Sequence, residues 1–443
     1  SAASDVYKRQ LYVGLCGNQY IFASEVYGLI EMTPFFIKID GEKERVEGDE
    51  KTRGQIFVLS QESEDMFKDI DAVYYDGQPL DINKSIVQRA EISTRDIDRK
   101  EFPHFLLKEI SEAPLSIIKT LRGKYRIEHQ KGGKSTVVFN IGEDIFPLKL
   151  KDAFLKDKIK KIFVIGQGTA AVAANAIAAA ISDSLKGLSI FVNAIKASEF
   201  SGFFLERDLS DTLVIAVTQS GTTTDTNRAV AMARERKAHL IAIVNRRQSD
   251  ITQKAEGVFY TSDGRDIEMS VASTKAFYSQ IVAGNILGLY FAQVMGVNSD
   301  DTIARKLTLL MKAPEMMNRV ISKKEQIKES AWELAKRKRY WAVVGSGPNK
   351  IAADEIRIKL SELCYKTISS DIVEDKKHID LSAEPLIFVC AAGNPEPVTD
   401  DIVKDVSIFK AHAGSAVVIA EEKEKISDPN FKDSDDNKIS FVG

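Results

Sequence analysis

Short apolar runs alternate with amphipathic stretches along this chain, and the rhythm changes as it proceeds. Between 11 and 88 the runs LYVGLCGNQYIFAS, FFIKI, GQIFVLS and DAVYY are β-branched or aromatic, with Gly- and Asp-containing turns between them, which predicts a β-rich segment. In 91–123, Leu106, Leu107 and Ile110, then Ile117, Ile118 and Leu121, suit helix faces, with an interruption expected at Pro114. From Lys161 strand and helix patterns alternate: KIFVIG, an Ala-rich helix over 170–185, LSIFVNAI, DTLVIAV, a helix over 225–237, HLIAIV, GVFYTS, then a long helix from Ser273 to about Met295. A helical connector over 301–338 precedes a second copy of the rhythm: RYWAVVGSG, a helix over 349–365, PLIFVCAAG, a helix over 397–413, SAVVIA and KISFVG. Strand–helix alternation of this kind predicts an α/β chain with two doubly wound parallel sheets and ligands at the carboxyl ends of the strands. The expected divisions are 11–90, a linker and helical connector over 91–150, a first α/β domain over 151–300, and a connector with the second α/β domain over 301–443.

Composition narrows the function classes. A chain of 443 residues with 28% charged and 44% hydrophobic positions and a net charge of −3 has the profile of an ordinary soluble protein, giving no electrostatic case for nucleic acid or a membrane surface. Cys16, Cys364 and Cys390 are far apart and lie in or beside apolar runs, so reduced, buried thiols of a cytoplasmic protein are expected, without a disulfide framework or a metal site. No apolar run reaches transmembrane length, and the opening SAASDVYKRQ lacks the apolar core of a signal peptide. Those ten residues are set aside from fold reasoning.

The chemistry concentrates in VIAVTQSGTTTDT, residues 214–226. A buried strand runs into a hydroxyl-rich turn, Thr218 to Thr223, and then into a helix. Helix N-termini present unpaired N–H groups and a partial positive charge, hydroxyls add donors, and Gly221 lets the backbone come close to a ligand. No Lys sits in the turn, so it is not a Walker loop. A second such stretch, SVASTKAF (270–277), opens another helix after a strand. The turn after the first strand of the repeat, from Gly166 to Ala171, fits GxGxxA and invites a dinucleotide reading. Against it, the second strand runs into Lys196 where a ribose hydroxyl needs an acidic residue.

At these stretches the sequence resembles the isomerase half of the glutamine–fructose-6-phosphate aminotransferases, which is built from two sugar isomerase (SIS) domains. The resemblance runs from about Leu11 nearly to the end. It implies that 11–90 is the closing part of a glutaminase domain, with LYVG leading to the Phe22–Glu25 segment. The family's terminal Cys nucleophile and Asn-Gly pair are not matched, since Cys16 lies mid-chain with no α-amino base beside it. FPHFLLKEISEAP is similar to the family's interdomain "HYMLKEIYEQP", where His104 is expected to pack or act as a hinge.

The resemblance further implies that Thr218, Gln219, Ser220 and Thr223 hold a sugar phosphate, while Gly168, Thr169, Val271 and Ser273 line the sugar. Ala170 stands where the family has a serine. The family's "KLKE" matches Lys359 to Glu362, making Glu362 the base that moves a proton between carbons 1 and 2, with Lys359 beside it. His378, sixteen positions after Glu362, matches the ring-opening histidine of "GELKHGP", which works across a dimer; here Glu374, Ile379 and Asp380 replace the Gly and Pro around it. A carboxylate and an imidazole suit such proton transfers near neutral pH. No metal or organic cofactor is implied. The expected partners are a small sugar phosphate and a second copy of the chain, with no nucleic acid and no membrane. The expected reaction transfers ammonia nitrogen to fructose 6-phosphate with isomerisation to glucosamine 6-phosphate. The alternatives are another SIS-type phosphosugar isomerase or deglycase, or a non-enzymatic phosphosugar-binding regulator. KISFVG reads as the last strand of the second copy. The helix and Lys-bearing tail that follow it in the family are not in the sequence, so this stretch by itself is expected to bind fructose 6-phosphate weakly at best and to be inactive in forming glucosamine 6-phosphate.

Overall fold

A strand whose residues are apolar on both faces has to be covered on both faces, and this requirement shapes most of the molecule. The computed structural model describes residues 10–40, 44–47, 50–60, 69–130, 133–336, 338–378, 385–421 and 440–441. The chain divides into two units, Ser1–Phe102 and Pro103–Gly443.

The first unit is β-rich. Strands β1 (Gln10–Cys16), β2 (Gln19–Ala23), β3 (Phe35–Asp40) and β8 (Gln88–Arg89) form an antiparallel sheet in the order β2-β1-β3-β8. Two hairpins complete the strands, β4 (Glu44–Glu47) with β5 (Glu50–Arg53) and β6 (Gln55–Leu59) with β7 (Ile70–Tyr74), before the single-turn helix α1 (Thr94–Ile97). Its core gathers Tyr12, Val26, Leu29, Ile30 and Phe36, with the Tyr12 and Phe36 rings edge to face at 5.5 Å.

The second unit opens with helix α2 (Phe105–Leu121), a hairpin of β9 (Tyr125–His129) and β10 (Ser135–Phe139), and helix α3 (Leu148–Leu155). The first parallel sheet follows, with β11 (Lys161–Gly166), helix α4 (Thr169–Ser184), β12 (Phe191–Lys196), a short turn α5 (Ala197–Glu199), β13 (Thr212–Thr218), α6 (Thr224–Glu235), β14 (His239–Val244), α7 (Asp250–Lys254), β15 (Gly257–Tyr260) and α8 (Lys275–Val294). Strand order is β12-β11-β13-β14-β15, every pair parallel. Alternation along β13 sorts its side chains: Leu213, Ile215 and Val217 join the core with α4 and α8, while Val214 and Ala216 join the other face with Ala229, Val230 and Ala233 of α6. Gly284 and Gly288 let α8 lie against Ile177 and Ile181 of α4.

Helices α9 (Asp300–Ser322) and α10 (Lys324–Ala335) lead into the second sheet: β16 (Trp341–Gly345), α11 (Pro348–Cys364), β17 (Ile368–Asp371), α12 (Val373–Lys376), β18 (Leu386–Cys390), α13 (Glu396–Ala411), β19 (Ser415–Ile419) and β20 (Ser440–Phe441). Its order, β17-β16-β18-β19-β20, is again parallel throughout and repeats the first sheet strand for strand. Of KISFVG, only Ser440 and Phe441 fall among the described residues, and they pair with Val417 and Val418.

Two expectations are corrected here. Helix α2 runs straight through Pro114, although the ring removes one i→i−4 hydrogen bond. Tertiary contacts hold the helix on both sides of the proline: Ser116 and Ser279 of α8 share a buried hydrogen bond of 2.7 Å, and Thr120 Oγ1 accepts from the Ser262 amide at 2.9 Å. Secondly, the cysteines are not all buried. Cys390 is buried in β18, Cys364 is exposed at the end of α11, and Cys16 is half-buried at the end of β1, its Sγ 3.4 Å from the Met32 carbonyl.

Candidate functional site

The hydroxyl-rich turn lies between β13 and α6, at the carboxyl edge of the first sheet. Thr218 is buried, and its Oγ1 accepts from the Gly221 amide at 3.1 Å, bending the chain sharply after the strand. Ser220 Oγ accepts from the Thr222 amide at 3.3 Å and from the Thr222 hydroxyl at 3.0 Å. Asn227, one turn into α6, donates to the carbonyls of Gly221 (3.0 Å) and Thr223 (3.1 Å), and Lys254 donates to Asn227 Oδ1 at 3.1 Å. The Gln219 carbonyl accepts from the Asn245 and Arg246 amides at 3.3 and 3.2 Å. Gly221 has a φ of +70°, and any Cβ there would collide with Ser249 Oγ. The glycine is therefore required by packing against the neighbouring β14–α7 loop, a different reason from close approach to a ligand. The carbonyls of Gln219, Gly221 and Thr223 are tied to protein donors, and the Gly221 and Thr222 amides to Thr218 Oγ1 and Ser220 Oγ, so the donors that can turn to an anion are the Ser220 and Thr223 hydroxyls and the amides of Gln219, Ser220 and Thr223.

The glycine turn of β11 begins α4, with Gly168 at φ +60° in open space and Thr169 as the first helical residue. Helix α11 of the second sheet packs against α4. Lys359 Nζ donates to Thr169 Oγ1 at 2.8 Å and lies 3.3 Å from both Glu355 Oε1 and Glu362 Oε2. Thr169 Oγ1 is in turn 3.2 Å from Glu355 Oε1. Burial pushes the Glu355 carboxyl above the usual range, against the opposing pull of Lys359, and its second oxygen has no hydrogen-bond partner. Glu362 is the open member of the group, its side chain 44% exposed against 18% for Lys359. Glu355 was not singled out from sequence. The signal was its i, i+4, i+7 spacing with Lys359 and Glu362, which puts all three on one helix face.

The loop between β15 and α8 carries Val271 and Ser273. Val271 is 97% exposed, whereas Ala272 and Thr274 on either side of Ser273 are buried. Ser273 Oγ donates to Glu268 Oε2 at 2.8 Å, and Glu268 Oε1 accepts from the Thr274 and Ala276 amides at 2.7 and 3.0 Å, capping α8 with a carboxylate. Lys275 is buried and pairs with Glu112 of α2 at 2.9 Å. Burial works against its charge, yet Asp266, Glu112 and Glu268 hold its pKa above the usual lysine value.

His378 follows α12, exposed, with its amide donating to the Asp375 carbonyl at 3.1 Å. Its neighbour Lys377 pairs with Glu374 and lies 3.5 Å from the buried Asp405 of α13. Among the described residues no contact joins His378 to Thr169, Lys359 or Glu362; Ile379 and Asp380 lie outside those residues. The geometry thus brings Thr169, Lys359 and Glu362 together and leaves His378 apart from them.

Among the described residues no group of three or more His, Cys, Asp or Glu side chains could hold a metal ion, and no helix is long and apolar enough to cross a membrane. Residues 157–290 match the SIS domain family model. The chain is 30% identical over 352 residues, 78% of its length, to the isomerising glutamine–fructose-6-phosphate aminotransferase of Corynebacterium glutamicum, and 28% identical over 94% of its length to that of Thermococcus kodakarensis. It spans 52% and 62% of those two relatives. In fold it is similar to the C-terminal domain of glucosamine-fructose-6-phosphate aminotransferase from Francisella tularensis, with a TM-score of 0.64 at 22% identity over 78% of this chain and 90% of that one. With two five-stranded parallel sheets and these similarities, the chain is a SIS-domain protein of the glutamine–fructose-6-phosphate-aminotransferase-like kind.

Proposed function

We propose that the chain binds a phosphorylated ketose at the carboxyl edge of its first sheet and moves a proton between carbons 1 and 2, as the isomerase half of a glutamine–fructose-6-phosphate aminotransferase. The observation that carries this reading is the reach of Lys359, from a helix of the second sheet, to Thr169 in the glycine turn of the first. A phosphate-binding regulator has no use for a lysine between two carboxylates at that position.

In this reading the amides and hydroxyls of Gln219, Ser220 and Thr223 hold the phosphate, and Thr218 keeps their turn in shape. The sugar extends toward Gly168, Thr169, Val271 and Ser273. Glu362 takes the proton from carbon 1 of the open-chain sugar and returns it to carbon 2. Lys359 stabilises the negative charge that develops on the oxygens, and Glu355 holds Lys359 in place. His378 serves ring opening, from a second copy of the chain. Where ammonia condenses with the carbon 2 carbonyl and water leaves before the transfer, as in the family's reaction, the product is glucosamine 6-phosphate; without it, glucose 6-phosphate.

Calorimetry with fructose 6-phosphate tests the site. Each hydrogen bond to a phosphate dianion contributes roughly 1.5–3 kcal/mol, so Ser220→Ala with Thr223→Ala should weaken binding about a hundredfold or more. Unchanged affinity in the double variant would overturn the assignment. Conversion to glucose 6-phosphate by a coupled assay, lost in Glu362→Gln with binding retained, tests the base.

A further inference from the structure

Two carboxylates bracket the loop that carries Val271 and Ser273. Glu268 holds its far end through Ser273, Thr274 and Ala276. The near end is held from outside the sheet by Glu109 of α2, which is 1% exposed. One Glu109 oxygen accepts from the Met269 amide at 2.6 Å and the Ser270 amide at 3.1 Å; the other accepts from the Ser270 hydroxyl. Between these anchors Val271 alone stands free, 97% exposed.

We propose that Glu109 is a positioning residue of the sugar site, fixing residues 269–273 so that Val271 and Ser273 meet the sugar. This rests on the reading of that loop as sugar-facing. One Glu109 oxygen takes two backbone amides, which can only donate; the Ser270 hydroxyl also lies 2.9 Å from the Ala272 carbonyl, so it can give its proton there and accept from a glutamine N–H, and only removing the acceptor altogether tests the clamp. Burying a carboxylate is costly, and burial does push the Glu109 carboxyl upward, with Glu268 adding a smaller push, against the pull of its three donors. A charge kept at that cost, on a helix that carries no other part of the site, serves geometry better than stability. Nearby ion pairs keep α2 itself in place: Lys275 with Glu112, and Lys119 with Asp266 at 3.0 Å.

Glu109→Leu, which removes the acceptor at nearly the same volume, separates this role from a general structural one, because the phosphate turn and the sugar loop are probed by different ligands. Inorganic phosphate should bind the variant as it binds the unaltered chain. Fructose 6-phosphate should bind about tenfold more weakly, the equivalent of one charge-assisted hydrogen bond. Hydrogen exchange at 268–274 should accelerate while the rest of the first sheet keeps its protection. Equal losses for both ligands, or none for either, would overturn the proposal. If Glu109→Leu fails to fold, Ser270→Ala keeps both amides on the carboxylate and should show the same selective loss at roughly threefold; no change in affinity or exchange overturns the clamp. An unaltered chain that binds phosphate but not fructose 6-phosphate would refute the functional reading and with it the sugar-facing part of this one, while the exchange data still decide whether Glu109 fixes the loop.

Discussion

Lys359 Nζ donates to Thr169 Oγ1 at 2.8 Å, tying the helix that follows the first strand of one sheet to the turn that follows the first strand of the other. The lysine also compensates Glu355, whose side chain is only 10% exposed. Removing each partner should therefore have unequal effects. Thr169→Val deletes one hydrogen bond and should cost about 1 kcal/mol. Lys359→Met leaves a buried carboxylate without its counter-charge and should cost about 3–5 kcal/mol at neutral pH. Denaturant midpoints measure both, and a Lys359→Met variant no less stable than Thr169→Val would contradict the pairing.

Glu355 allows the sign of a pH effect to be worked out. Burial holds its folded pKa above the unfolded value of about 4.5. Between those two values the folded chain binds more protons than the unfolded chain, so this group makes stability fall as pH rises through the window. Glu355→Gln removes the effect. Unfolding midpoints taken from pH 4.5 to 7.5 should show a variant whose stability declines less steeply with pH than the parent and is not lower at pH 7. Isomerisation should nonetheless fall, because Lys359 loses the carboxylate that orients it. Parallel stability profiles for parent and variant would refute this account.

How much of this was readable from sequence depends on the range of the interaction. β13 was legible because all seven of its residues, TLVIAVT, are buried, and a strand covered on both faces leaves an unbroken apolar run. The phosphate turn was legible because its hydroxyls, glycine and helix start lie within six residues. Glu355 was missed because an isolated KxxE-type helix reads as surface, and its burial comes from α4, with Thr169 lying 186 positions away. Glu109 was missed for the same reason, with its donors 160 and 161 positions distant. Pro114 misled in the opposite direction: a local rule predicted a break, and packing against α8 and α9 overrode it.

The two glycine turns should respond differently to a methyl group. At Gly168 the Cβ would meet open space, but φ +60° with ψ −132° is a region in practice open only to glycine, so Gly168→Ala should cost about 1–3 kcal/mol from backbone strain alone. Gly221→Ala, at φ +70°, adds a collision with Ser249 that contributes about 1–3 kcal/mol of its own. Since the turn must shift to accept it, phosphate affinity should drop as well. Combining Gly221→Ala with Ser249→Gly removes the collision but not the backbone strain, and should recover part of the loss. No recovery of the Gly221→Ala melting temperature in that double variant would show that Ser249 does not confine the turn.

The three thiols offer a chemical readout of the second sheet. Cys364 is exposed at the end of α11, directly after the segment that carries Glu362. Cys390 is buried in β18, and burial pushes its pKa up to about 12. The thiolate is the reactive species, so at pH 8 Cys390 is both inaccessible and protonated, while Cys364 is open to solvent. A colorimetric thiol reagent should label Cys364 first and half-buried Cys16 more slowly, with Cys390 labelled only as the sheet opens. Above pH 9 the unfolded Cys390 thiol ionises while the folded one does not, so the unfolded state binds fewer protons and stability should fall toward pH 12. Cys390→Ala would remove that alkaline decline at the cost of a small cavity beside Trp341 and Val343. Labelling of Cys390 at the same rate as Cys364 in native buffer would mean that β18 is not the enclosed central strand described here, and that the helix bearing Lys359 and Glu362 lacks the support on which the site depends.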